Sequence, residues 1–232
     1  MQSFSLLLVR HARVQVPQGV CYGRTDVVLH PGWEKIVSGL SVLARGVGGR
    51  VVHTSPAQRC LHMAQRLASA TGMELRVDER LAELDFGQWE GKSWQEIGRA
   101  ALDDWAASPE HFTPPGGESG QALRQRVRAF WRDLREAGKA ACVVSHGGPL
   151  RVLSALAEGH GPDLLRPPPP QGSPRLCQAT QPVQEVAPLA APPSSLPQCL
   201  RGSSPHISAP VPTMPRLCCW LSRVSSSFPS VS

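Results

Sequence analysis

Two short apolar runs that end abruptly in charge constrain this chain's fold more than any other feature. Leu6, Leu7, Leu8 and Val9 are followed at once by Arg10 and His11, and Ala140, Ala141, Cys142, Val143 and Val144 lead into Ser145, His146, Gly147 and Gly148. An unbroken apolar run, unlike an alternating one, reads as a strand covered on both faces. Such strands belong to parallel sheets, and open α/β sheets bind ligands at the carboxyl ends of their strands. Each run therefore carries a histidine toward one cleft. The glycine pair after His146 lets the backbone come close to a ligand where a new helix begins.

The remaining pattern repeats strand, polar loop and helix. A helix with Trp33, Ile36, Leu40 and Leu43 on one side stops at Gly46, Gly48 and Gly49, and a short strand over Arg50 to His53 runs into Thr54, Ser55 and Pro56. A helix from Ala57 to Thr71 follows, then a strand over Glu74 to Val77, a loop from Arg80 to Gly91, and a tryptophan-rich helical stretch from Trp94 to Trp105. Pro114 to Gly117 break the chain before a long helix from Gln121 to Glu136, and a last helix runs from Pro149 to about Glu158. The alternation predicts an α/β fold, a three-layer α/β/α arrangement with a mainly parallel central sheet.

Composition shifts sharply near Gly161. About 16 of the 23 prolines lie beyond it, with a run at Pro167 to Pro170 and serines crowding the end. This places a folded domain over residues 1–160 and a Pro/Ser-rich, disordered tail over 161–232. Five arginines of that tail face only Asp163 and Glu185, so about half of the net charge of +6 sits outside the domain. A nucleic-acid partner thereby loses its main support. Arg124, Arg126, Arg128, Arg132, Asp133, Arg135 and Glu136 read as a solvated helix face. Seven cysteines without metal-ligand spacing read as reduced, mostly buried thiols. The start lacks a basic leader, and no run reaches membrane-spanning length, so the expectation is a soluble cytoplasmic protein with no membrane partner.

The charged strand ends suit phosphoryl transfer, which needs an in-line nucleophile, cations for the equatorial oxygens and a proton for the leaving alkoxide. A neutral imidazole at His11 can attack phosphorus. Arg10 beside it, and Arg59 at the opening of a helix, can clamp oxygens with their fork of donors. A protonated His146 adds a cationic hydrogen bond, and backbone N–H groups near Gly147 add more. For the proton source, Glu83 between Leu81 and Leu84 fits best, with Asp85 and Glu90 as alternatives in the same loop. Neither His53 nor His62 has the spacing of a zinc site, so no metal and no cofactor are expected.

These residues resemble the histidine phosphatase superfamily in its phosphoglycerate-mutase-like branch. The resemblance rests on Leu8 to His11, on Thr54 to Cys60, on Glu83 to Gly87 and on Ser145 to Gly148. It implies His11 as the phosphorylated nucleophile, Arg10, Arg59 and His146 as the phosphate pocket, and Glu83 as the proton donor. Gly19 to Asp26, with Tyr22 and Gly23 as expected substrate contacts, and Glu83 to Gly91 resemble the α-ribazole phosphatases of cobalamin synthesis. The implied ligand is a small phosphate ester. Three departures stand out: Ala12 replaces the usual glycine, Arg13 and Val14 replace an acidic residue and a hydroxyl, and after Leu156 a proline-rich tail stands where the family has a closing helix and strand. Loss of that strand would leave a sheet edge unpaired.

Overall fold

In the computed structural model, which describes residues 3–181, the two apolar runs are neighbouring strands of one sheet. Chain order is β1 (Ser3–Arg10), α1 (Lys35–Val47), β2 (Val51–Thr54), α2 (Gln58–Thr71), β3 (Glu74–Val77), α3 (Trp94–Ile97), α4 (Arg99–Ala107), α5 (Gly120–Ala137), β4 (Ala141–Ser145), α6 (Gly147–Ala157) and β5 (Pro174–Thr180). Single 3-10 turns at Glu79–Leu81 and Gly87–Trp89 shape the loop between β3 and α3. The strands lie side by side as β3-β2-β4-β1-β5. Pairs β1–β4, β2–β4 and β2–β3 are parallel, and β5 runs antiparallel along β1.

Alternation along each strand explains why the runs are apolar throughout. Leu6 and Leu8 join Ala141 and Val143 in a cluster with Val127 and Phe130 of α5 and Leu150 and Leu153 of α6. Their neighbours Leu7 and Val9 join Cys142 and Val144 on the opposite face, against Val37 and Leu40 of α1 and Met63 and Leu67 of α2. Successive side chains of a strand point to opposite faces, so a sheet covered on both sides needs apolar residues at every position.

Three expectations require correction. The buried stripe of α1 is Val37, Leu40, Ser41 and Ala44, at i, i+3, i+4 and i+7, which leaves Leu43 on the exposed side and Trp33 outside the helix. On α5, Arg126 is not solvated: its guanidinium donates to the carbonyls of Arg80 (2.8 Å), Ala82 (2.6 Å) and Glu83 (3.0 Å) and to Glu118 Oε1 (2.5 Å). The largest correction concerns the end of the folded region, which continues past residue 160. β5 covers the outer edge of β1 with Leu6 opposite Cys177 and Phe4 opposite Ala179, and Cys177 and Ala179 are buried in the core. Pro174 is the first residue of this edge strand, where its missing N–H removes no central ladder bond. The tail expected to be disordered falls, from residue 182 onward, outside the described residues.

Candidate active site

Strand register brings the two histidines together. Arg10 of β1 is opposite Ser145 of β4, so His11 and His146 leave adjacent parallel strands at the same level. The His11 N–H donates to the Ser145 carbonyl (3.0 Å), and Ser55, just beyond β2, donates from its N–H to the Val144 carbonyl (3.1 Å). The imidazoles meet edge to face with centroids 5.2 Å apart. Both are buried, 1 % and 0 % exposed.

His11 Nδ1 lies 2.8 Å from the Ala12 carbonyl. A carbonyl oxygen only accepts, so Nδ1 carries the proton and Nε2 keeps its lone pair. Burial, reinforced by the charges of Arg59 and Arg10 and partly offset by the Ala12 hydrogen bond, pushes the His11 pKa down to about 3. The ring is therefore neutral across the physiological range. His146 is held well below the ordinary histidine range, by burial first and then by Arg59, His11 and Arg10. The cationic hydrogen bond expected of His146 if protonated is thereby disfavoured in the free protein, where Nε2 lies 2.7 Å from Ser55 Oγ and 3.4 Å from Cys60 Sγ.

Two guanidinium groups flank the rings. Arg59, near the start of α2, is 1 % exposed. Its terminal nitrogens donate to the carbonyls of Thr25 (2.9 Å) and Gly23 (2.5 Å), and the group lies over the Tyr22 ring at 5.5 Å. Arg10 donates from Nη1 to the Pro169 carbonyl (2.7 Å). The Nε of each arginine is buried without a hydrogen-bond partner. Two orphaned donors beside two buried histidines form an arrangement suited to receiving an anion.

The carboxyl group of Glu83 is fixed by backbone: Oε1 accepts from the N–H of Leu84 (2.9 Å) and of Gly148 (3.1 Å) at the N-terminus of α6. A β-carbon at residue 148 would collide with Glu83 Oε1, so glycine is what permits this approach. Gly147 lies against the Arg10 guanidinium. Asp85 and Glu90 have other duties. Asp85 Oδ1 accepts from Gly87 N–H (2.9 Å), while Glu90 accepts from the N–H groups of Arg24 (2.8 Å), Thr25 (2.6 Å) and Phe86 (3.1 Å), tying two loops together.

Tyr22 and Gly23 thus stand beside Arg59 and hold it, and Gly23 is packed so closely on Leu84 O that no side chain fits there. The departures at Ala12 and Val14 are absorbed by packing: both are buried in the cluster against α1 and α2, and Val14 forms a bridge with Leu29. Sequence reasoning missed Arg126, which grips the Glu83 loop, and Gln171 and Pro169, which reach Tyr22 and Arg10 from the supposed tail. The proline run hid the last two. His62 is exposed on α2, and His53 stacks edge to face on Phe130 away from the pair. Among the described residues, no group of three or more His, Cys, Asp or Glu side chains is placed to hold a metal ion, and no helix is long and apolar enough to cross a membrane.

The chain is 35% identical over 172 residues to a bifunctional protein of Mycobacterium tuberculosis (strain H37Rv), a match covering 69% of this chain and 46% of the relative. It therefore spans about half the length of that relative. It is 29% identical over 160 residues to the adenosylcobalamin/alpha-ribazole phosphatase of Escherichia coli (strain K12), covering 66% and 79% of the two chains. The solved alpha-ribazole phosphatase of Shigella flexneri superposes with a TM-score of 0.67 at 26% identity, over 75% of this chain and 89% of that one. The family described as histidine phosphatase superfamily (branch 1) matches residues 6–173, a span that takes in both buried histidines, both arginines and the Glu83 loop, and the chain belongs to that superfamily.

Proposed function

We propose that the chain is a phosphomonoesterase working through a phosphohistidine, with α-ribazole 5′-phosphate as substrate. The observation that carries the reading is the 2.8 Å contact of His11 Nδ1 with the Ala12 carbonyl: with Nδ1 donating, Nε2 is an unprotonated nucleophile, and Arg59 and Arg10 are close enough to act on the ring electrostatically. In the first step Nε2 attacks phosphorus and the P–O ester bond breaks. The departing oxygen takes a proton from Glu83 in its acid form. In the second step Glu83, now a carboxylate, takes a proton from water, whose oxygen attacks phosphorus and breaks the N–P bond. Arg10, Arg59, the amide of Gly147 and His146 hold the equatorial oxygens, and a phosphate dianion beside His146 raises that ring's affinity for a proton.

The substrate reading is supported by the walls beside Glu83, where Leu84, Phe86, Trp105, Leu123 and Leu164 offer apolar and aromatic faces that suit a flat ring such as a benzimidazole. The names of the Escherichia coli and Shigella flexneri relatives agree with it. The test is a release assay with α-ribazole phosphate, 3-phosphoglycerate and aryl phosphates, combined with an alkaline quench to trap labelled protein. The expected result is preferential release from α-ribazole phosphate and a base-stable, acid-labile phosphoprotein that His11→Ala abolishes. Trapping that survives His11→Ala would overturn the nucleophile, and equal use of all three esters would overturn the substrate.

A further inference from the structure

Arg151 and Ser154 of α6 and Glu158 just beyond its end recur at helical spacing and form one wall of a cavity of about 330 Å³. Asp163, Arg166, Pro169 and Arg175 contribute to the other walls. Two polar atoms here are buried without partners, Arg151 Nε and Ser154 Oγ, and Ser154 is only 6 % exposed. A helical serine ordinarily satisfies its hydroxyl on the carbonyl one turn back, so a buried orphan is unusual. Among the described residues neither Arg151 nor Arg166 has an ion pair, whereas Glu158 pairs with Arg175 and lies 2.9 Å from His160 Nε2. Asp163 is the remaining carboxylate, and its Oδ1 accepts from the Leu165 N–H (2.9 Å).

The cavity adjoins the candidate active site. Arg151 also lines the apolar recess that contains Glu83 and Gly148, and the carbonyl of Pro169, in the cavity wall, accepts from Arg10. We propose that this cavity is a second oxyanion site, in which Arg151, Ser154 and Arg166 bind a carboxylate or phosphate group. Arginines without an ion pair around a cavity are what such a group satisfies, and rotation of the Ser154 hydroxyl, which has no partner of its own, adds a donor. The group is either the second acidic function of a phosphate ester other than α-ribazole 5′-phosphate, which carries a single acidic group, or a free anion; the first case rests on the phosphatase reading but not on that substrate, the second on neither.

Titration of the full chain with inorganic phosphate, followed by amide NMR, separates the two sites without turnover. The expected result is two sets of shifts, one around His11 and His146 and one over Ser154 to Arg166, saturating at different concentrations. Arg151→Gln should raise the half-saturation point of the second set by about tenfold or more while the first set persists. The same spectra report whether the variant is folded, and Arg166→Gln, on the loop, repeats the test without touching α6. Shifts confined to the histidine pair, or a second set unmoved by both variants, overturn the proposal. For the source, kinetics compare 3-phosphoglycerate with glycerol phosphate, which differ by one carboxylate. A KM raised by Arg151→Gln for the former alone assigns the site to the substrate. Equal KM values, with the second set of shifts still lost, assign it to a free anion.

Discussion

The two nitrogens of His11 have separate duties: Nδ1 is committed to the Ala12 carbonyl so that Nε2 is free. The Glu83 carboxyl group is likewise fixed: Oε1 accepts from the amides of Leu84 and Gly148, and the Gly148 N–H also reaches Oε2 (3.3 Å). Glu83→Gln keeps an amide oxygen for those N–H groups and removes only the acidic proton. Release from α-ribazole phosphate, whose alkoxide leaves poorly, should therefore fall by about 10²–10⁴-fold. Release from p-nitrophenyl phosphate, whose phenolate needs no proton, should fall far less. Steady-state kinetics on the two esters check this, and equal losses would remove Glu83 from the role of acid. The sequence presented Glu83, Asp85 and Glu90 as chemically similar neighbours. What separates them is long-range pairing, Glu90 with Arg24 and Thr25 and Glu83 with Gly148, and such pairing has no signature in local sequence.

Among elements, β5 and the segment before it change the picture most. β1, β4 and the ends of α1 and α2 were legible because unbroken apolar runs and glycine stops are local patterns. β5 was not, because four successive prolines and Pro174 imitate a linker, and its alternation of exposed Leu176, buried Cys177, exposed Gln178 and buried Ala179 spans few residues. The same segment brings Pro169 to Arg10 and Gln171 to Tyr22, so the sheet edge and the site share one piece of chain. The register yields a paired prediction. Cys177→Asp buries an uncompensated charge opposite Leu6 and should cost about 3–5 kcal/mol. Leu176→Asp, at a position 62% exposed, should change stability by about 0.5 kcal/mol or less. Urea unfolding of the two variants decides it, and the reverse order would mean that β5 faces the other way.

At the scale of the whole molecule, the fold buries two histidines in neutral form and disfavours the charge of a half-buried third, and this links its stability to pH. His11 and His146 lie between layers under the influence of Arg10 and Arg59, and burial also lowers the pKa of His53. In the unfolded chain each takes up a proton near pH 6.5. Below that point the unfolded state binds protons that the folded state refuses, so stability must fall as pH drops from 6.5 toward 3. Asp78 and Glu90, whose pKa values are lowered, lose their contribution only below the ordinary carboxylate range, so the interval from pH 6.5 to 5 belongs to the histidines. His160, exposed and raised in pKa, acts in the opposite direction from the surface. Each fully neutral histidine contributes a slope of about 1.4 kcal/mol per pH unit in that interval, or about 2 kcal/mol between pH 6.5 and 5. Urea midpoints measured at pH 7 and pH 5 should therefore differ clearly, with the acid form weaker. His11→Asn, whose amide can still donate to the Ala12 carbonyl but takes up no proton, should shrink the difference by about 2 kcal/mol. Midpoints that coincide at the two pH values would mean that the rings are protonated in the fold, and the unprotonated nucleophile at His11 would be lost with them.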